Sequence, residues 1–262
     1  MYNFQLAEKV IQKQQTSSFV DVSEIFGREK EKESLIRKLV SDTSEEGRGL
    51  LIIPIVGMGG MGKTTLAHLA YNDVNVKAHF HERIWGKKFL LVLDDVWTED
   101  RKKWDQLNFS LMQNGAEDSR ILVTTQKQSI ACMMRATPHM INLGELSEQN
   151  CLSIFNHMTF PNREVVQHEV FGDINKEIVK KCKGLPLIAK TLGSMMRKKR
   201  KRWEWLNVLN TKTWDWKEVE QEVFQPLFLS YYDLAPRDRC CLLCCAIFSK
   251  DYEFIRDNLI NL

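Results

Sequence analysis

Nine residues at 57–65, GMGGMGKTT, have the types and spacing of a phosphate cradle. They fit G-x-x-x-x-G-K-[ST] through Gly57, Gly62, Lys63 and Thr64, follow the apolar run LLIIPIV (50–56), and precede Leu66, Leu69 and Ala70 at helical spacing. Glycines let successive backbone N–H groups curl around phosphate oxygens, and a helix N-terminus adds unpaired donors and the positive end of its dipole. Lys63 suits the β- and γ-phosphates, and the Thr64 hydroxyl suits Mg²⁺. Further on, Asp94 and Asp95 end the apolar stretch 89–95. Beside a phosphate loop, such a carboxylate completes the Mg²⁺ shell and its neighbour can polarise water. The competing reading of the aspartates is a pair of helix caps.

These residues need a scaffold, and the surrounding pattern supplies one. Strand-like pieces at 50–56, 89–95, 120–125 and 139–143 alternate with helix-like pieces after Gly62, around Trp104–Met112 and around Lys127–Met134. Near-continuous apolar strands separated by helices predict an α/β fold, a parallel sheet covered on both faces. ERIW (82–85) is a doubtful further strand. Pro54 stands against a central-strand assignment, and the sequence offers no account of it. Before the sheet, Leu35, Ile36, Leu39 and Val40 predict an amphipathic helix, and residues 1–24 read as a linker remnant or the tail of a deleted element.

After Gly144 the pattern is helical. Ser147 is an expected N-cap; Val166, Val170, Ile174 and Ile178 form one stripe, and Leu185, Ile188, Leu192 and Met195 another. Gly184 suits a helix end and Pro186 the first turn of the next helix.

Hydrophobic residues at 44%, charged residues at 27% and a net charge of +3 describe a soluble globular chain, with no charge excess suited to nucleic acid. No apolar run approaches a membrane span, the N-terminus lacks a secretory-signal pattern, and stable membrane insertion is not expected. Seven cysteines, four of them in CCLLCC (240–245), indicate a reducing intracellular setting rather than a disulfide framework, with the cytoplasm expected and the nucleus as the alternative. CCLLCC is expected to be a buried helix rather than a zinc site, and RKKRKR (197–202) a solvated turn rather than a nuclear-localisation or lipid patch, with Trp203 and Trp205 packing on the helical region.

Six blocks in order, IFGRE (25–29), GMGGMGKTTLA (57–67), KKFLLVLDDVW (87–97), SRILVTT (119–125), GLPL (184–187) and CCLLCCAIFSKDYEF (240–254), resemble the NB-ARC module of plant disease-resistance proteins. Trp97 resembles the coiled-coil branch of that family. The resemblance implies a phosphate-loop subdomain (25–146), a helical subdomain (147–216) and part of a winged-helix subdomain (217–262). It also implies a nucleotide switch in which ADP holds the closed state and ATP permits opening, with at most slow ATPase activity. Carried over, Gly57, Met58, Gly59, Gly60, Met61, Gly62, Lys63, Thr64 and Thr65 would hold the phosphates of ADP or ATP. Thr64 and Asp94 would hold Mg²⁺, and Asp95 would be the catalytic carboxylate. Ile25, Phe26, Gly27 and Arg28 would line the adenine side, with Pro186 closing over the base. Adenine nucleotide and other immune-receptor chains are the implied partners.

Four departures stand out. Family members carry about four dozen residues between RIW and GKKFLLVLDD; here the two abut, and Gly86–Lys88 alone lie between ERIW and FLLVLDD, where a parallel crossover takes about a dozen or more. An internal deletion near 85–87, exposing a sheet edge, is the expectation. Gln126 stands where the family has an arginine that senses the γ-phosphate. The chain ends before the family's Met-His-Asp block, and neither a full coiled coil nor a repeat domain is present. Two functions from different classes follow: a nucleotide-binding switch module of an immune receptor, or a truncated interaction protein that no longer binds nucleotide. A fast ATPase or kinase reading lacks an acceptor-substrate motif.

Overall fold

The computed structural model describes residues 25–41, 50–80, 87–114, 118–161, 165–211, 224–248 and 252. The chain forms two compact units, Met1–Gly144 and Glu145–Leu262.

The first unit opens with helix α1 (Glu29–Val40), whose acidic first turn and basic last turn match the helix dipole and whose Leu35 and Leu39 are fully buried. Strand β1 (Leu51–Val56) leads through the glycine loop into α2 (Lys63–Tyr71) and α3 (Val74–His79). Strand β2 (Leu90–Leu93), helix α4 (Arg101–Asn114), β3 (Arg120–Thr125), α5 (Gln128–Met133) and β4 (Ile141–Asn142) follow. The sheet order is β2-β3-β1-β4, and every pairing is parallel. All six residues of β3 are buried, as a strand flanked on both edges and covered on both faces should be. One face of the sheet carries a core of Trp104, Ile121, Val123, Ile130 and Met134, joined by Leu91, Leu93 and Leu111.

Pro54 sits in the middle of β1, paired in register with Val123. The backbone resolves the conflict. Leu51 and Gly57 donate to β3, so odd-numbered N–H groups face that neighbour. The nitrogen of Pro54 has the opposite parity and faces the β4 side, where pairing begins only at Ile55 and Ile141. No ladder hydrogen bond is lost there.

The expected strand 139–143 shortens to Ile141–Asn142 because Thr137–His139, with Pro138 inside it, form a 3₁₀ turn. The expected strand 89–95 ends at Leu93, and Asp95 turns the chain with φ 52°. ERIW lies outside the described residues.

The second unit is helical: α6 (Glu148–Thr159), α7 (Val165–Lys180), α8 (Pro186–Met196), α9 (Arg202–Leu209), α10 (Phe224–Tyr232) and α11 (Pro236–Cys245). Ser147 caps α6, its hydroxyl accepting from the Asn150 N–H at 3.2 Å. Ile174 and Ile178 are buried, as are Leu185, Ile188, Leu192 and Met195; the side chains of Val166 and Val170 lie outside the described set. Phe160 and Phe171 stack on fully buried Trp205, whose indole N–H donates to the Lys199 carbonyl. Gly184 has φ 71°, and a Cβ there would stand 2.5 Å from the Cβ of Glu145, so both conformation and space demand glycine.

Two expectations for this unit need correction. The CCLLCC stretch is a helix, but not a buried one: Leu242, Leu243, Cys240 and Cys241 are exposed, and Cys244 and Cys245 are half-buried. Trp203 is 58% exposed and does not share the burial of Trp205. In the basic run, Arg202 pairs with Asp173 through both carboxylate oxygens, Lys199 pairs with Asp233, and the Glu204 carboxylate accepts from the Arg200 and Lys201 N–H groups. An expected subdomain division at 216/217 falls outside the described residues.

Candidate nucleotide site

The glycine loop lies at the C-terminal ends of the parallel strands, where open α/β sheets hold ligands. Its first residue is anchored to β3 by the Gly57 N–H donating to the Thr125 carbonyl at 3.3 Å. A Cβ on Gly57 would approach the Leu143 carbonyl to 3.0 Å, so the loop enters tight against the end of β4. Gly62 caps α2 in the left-handed region at φ 90°, leaving the helix N-terminus open toward the loop.

Lys63 is the most enclosed charged group of the loop. Its Nζ donates to the Met58 carbonyl at 3.0 Å, spanning the loop from inside. Burial lowers its pKa, partly opposed by the attraction of Asp95 and then Asp94. Its amine thus lies near two carboxylates and has a neutral carbonyl as its hydrogen-bond acceptor.

Thr64 and Asp94 meet: the Thr64 hydroxyl donates to Asp94 Oδ1 at 3.0 Å. The Thr124 hydroxyl donates to the same oxygen and accepts from the Asp95 N–H at 2.8 Å. Thr125 donates to the Val96 carbonyl at 2.8 Å, and the Val96 N–H returns to the Thr124 carbonyl. Two threonines at the end of β3 thus clamp the turn that carries both aspartates and hold Asp95 in its left-handed conformation, which asparagine and aspartate tolerate better than other side chains. Sequence reasoning missed this role. The available signal was a buried polar pair closing an otherwise apolar strand.

Among the other expected site residues, Met58 is exposed at the loop, and Ile25, Phe26 and Gly27 are half-buried ahead of α1. Arg28 is buried, and its guanidinium grips the structure around the loop rather than facing outward. Nη2 donates to the Met61 carbonyl at 3.1 Å and the Gly144 carbonyl at 2.8 Å, and Nη1 pairs with Glu31 at 3.0 Å. Gln126 lies over the loop, with its amide Nε2 3.5 Å from where a Cβ on Gly59 would be. Thr65 follows Thr64 in the first turn of α2, with Gly60 and Met61 in the loop before it. Pro186 belongs to the second unit, in the first turn of α8. Among the described residues no three His, Cys, Asp or Glu side chains form a metal cluster, and no helix is long and apolar enough to cross a membrane.

Comparison with known proteins places this geometry in a family. The model of the NB-ARC domain matches in two pieces, residues 28–87 and 82–165, which overlap at 82–87, just before β2. The disease resistance protein RGA2 of Solanum bulbocastanum is 33% identical over 307 aligned positions, covering 99% of this chain and 31% of the relative. An RPP13-like disease resistance protein of Arabidopsis thaliana is 34% identical over 291 positions, covering 94% of this chain and 27% of the relative. The chain therefore spans under a third of the length of these relatives. The alignment with RGA2 exceeds the 262 residues of the chain by 45 positions, so that relative carries residues with no counterpart here. Glycine loop, paired aspartates, parallel sheet and helical unit, together with these matches, make the chain a member of the NB-ARC domain family.

Proposed function

We propose that this chain is an adenine-nucleotide-binding switch module of a plant immune receptor, acting in the cytoplasm in defence and at most a slow ATPase. The observation that carries the reading is the loop of 57–65 closing on its own lysine: Lys63 spans to Met58 beside Asp94 and Thr64, two oxygen donors already in contact. Oxygen-only donors of this kind suit Mg²⁺, which supplies charge neutralisation between phosphates when bound. Phosphate oxygens would take the hydrogen bond that Lys63 now gives Met58. Asp94 and Thr64 would hold the cation, and Asp95 would orient water. The half-buried Ile25 and Phe26 offer an apolar wall for a base.

The test is thermal. At about 100 times its dissociation constant a ligand stabilises the native state by about 2.7 kcal/mol, which for a domain of this size raises Tm by about 5–10 °C. ADP with Mg²⁺ should give that rise in the wild type and none in Lys63→Ala; an equal rise in both would remove the loop from the site.

A second reading, an interaction protein that no longer binds nucleotide, has one observation in its favour. The family match breaks in two before β2, which points to an internal deletion near 85–87. A folded wild type whose Tm does not respond to ADP or ATP supports it.

A further inference from the structure

Free cysteine ordinarily behaves as a small apolar side chain and is among the residue types most often buried. Cys151 and Cys182 follow that habit, but the four cysteines of α11 do not: Cys240 and Cys241 are exposed, and Cys244 and Cys245 are half-buried. Their spacing gives the exposure a chemical meaning. At 3.6 residues per turn they fall within an arc of about 140° on one side of the helix, with Leu242 and Leu243 outside it. Cys240 and Cys244 stand one turn apart, as do Cys241 and Cys245, so each pair combines an exposed thiol with a half-buried one.

Distance and coordination number decide what such pairs can hold. Side chains at i and i+4 of a helix have Cβ atoms about 5–6 Å apart, whereas a disulfide needs about 3.5–4.5 Å. The pairs are too wide for a direct sulfur–sulfur bond while α11 stays helical, and wide enough to admit one bridging atom. Zinc is the wrong bridge. Its structural sites close with four ligands, and among the described residues no three His, Cys, Asp or Glu side chains form a metal cluster. A soft monovalent cation that two thiolates satisfy is the right one. Thiolate ligands select Cu(I), and two sulfurs on opposite sides of the ion complete its coordination.

We propose that α11 is a Cu(I)-binding helix, with Cys240/Cys244 and Cys241/Cys245 each holding one ion between two sulfurs. Each ion displaces the protons of its two thiols, giving an S–Cu–S bridge with one net negative charge and releasing two protons. No electron changes hands. The exposed member of each pair gives the ion a path in from solvent, and the half-buried member shields the far side of the bridge. The proposal does not rest on nucleotide binding.

The experiment uses the whole chain, reduced and kept free of oxygen, titrated with Cu(I) held by bicinchoninate, whose colour reports the copper it loses. The expected result is two Cu(I) drawn from the chelator per chain, with X-ray absorption showing two sulfurs around each ion. Cys240→Ser/Cys241→Ser removes one member of each pair and should weaken retention at least ~100-fold, beyond the range for residues that only orient a ligand. Cys132→Ser, at another exposed thiol, should retain both ions. No copper drawn from the chelator, three or four sulfurs around the ion, unchanged retention in the double variant, or Zn²⁺ held in preference to Cu(I) would each overturn the proposal. Should the double variant fail to fold, thiol labelling of the wild type with and without Cu(I) decides. Copper should protect the four α11 cysteines and leave Cys132 reactive; equal labelling of all five in both samples would sink the site.

Discussion

Thr124→Val isolates the contribution of the β3 threonines to the carboxylate turn. Valine has the shape of threonine, so packing in the buried strand is kept and only the hydroxyl is lost. Two hydrogen bonds go with it, one to the ionised Asp94 and one from the Asp95 N–H. A neutral hydrogen bond contributes about 1 kcal/mol and one to a charged group about 1.5–3 kcal/mol. Asp94 and Asp95 are exposed, so water replaces much of what is lost, and the expected destabilisation is about 1–2 kcal/mol. The larger effect is expected at the proposed Mg²⁺ site. Residues that orient a metal ligand typically change affinity 10–100-fold when removed, and Thr124 orients Asp94. Titration of Mg²⁺ into the ADP-saturated variant should show a loss of that size, while ADP binding in the presence of a chelator is unchanged. An unaltered Mg²⁺ affinity would refute the clamp, and an equal loss with and without metal would place Thr124 in general folding instead.

Other expectations follow from particular residues. Gly184→Ala puts a Cβ against Glu145 in a left-handed conformation and should destabilise by about 2–5 kcal/mol, whereas Gly172→Ala, in the open interior of α7, should stabilise by about 0.5–1 kcal/mol; denaturant midpoints moving in the same direction would contradict the local geometry. Thiol labelling read by peptide mass should mark Cys132, Cys240 and Cys241 quickly and spare Cys151 and Cys182 until unfolding, because the latter two are buried and burial pushes the Cys182 thiol well above its usual range; rapid native labelling at Cys182 would contradict its placement. Lys63→Met should raise the Tm of the nucleotide-free protein near neutral pH, since the buried ammonium is held below its ordinary pKa and the folded state bears that cost while it is charged. The gap should narrow as pH rises past the lowered folded value toward the unfolded one, where the wild type sheds its proton on folding; a gap that widens would reverse the sign of the burial effect.

Much of the fold was legible because its signals are local. The glycine loop, Ser147 and Gly184 each answer to the conformation of a few neighbouring residues, and the strands are apolar enough to be read as buried. Other features depend on partners that a linear pattern does not display. Pro54 looks wrong for a central strand until the lateral offset of β4 is known. CCLLCC reads as core by composition, yet whether a helix is buried is decided by what lies against it. Thr124 and Thr125 read as the end of a strand, and their role appears only when the turn after β2 is seen beside them. Arg28, expected to line the adenine side, has a fork that reaches two backbone carbonyls, one from the loop and one from the end of the sheet, and that pairing is not displayed by a linear pattern.

The central claim, that the phosphate loop holds adenine nucleotide, is tested most directly by calorimetric titration of the stripped protein with ADP and with ATP, each with Mg²⁺. The account predicts binding of ADP in the micromolar range or tighter. A protein shown to be folded that releases no heat with either nucleotide, and whose Tm neither ligand moves, would contradict it.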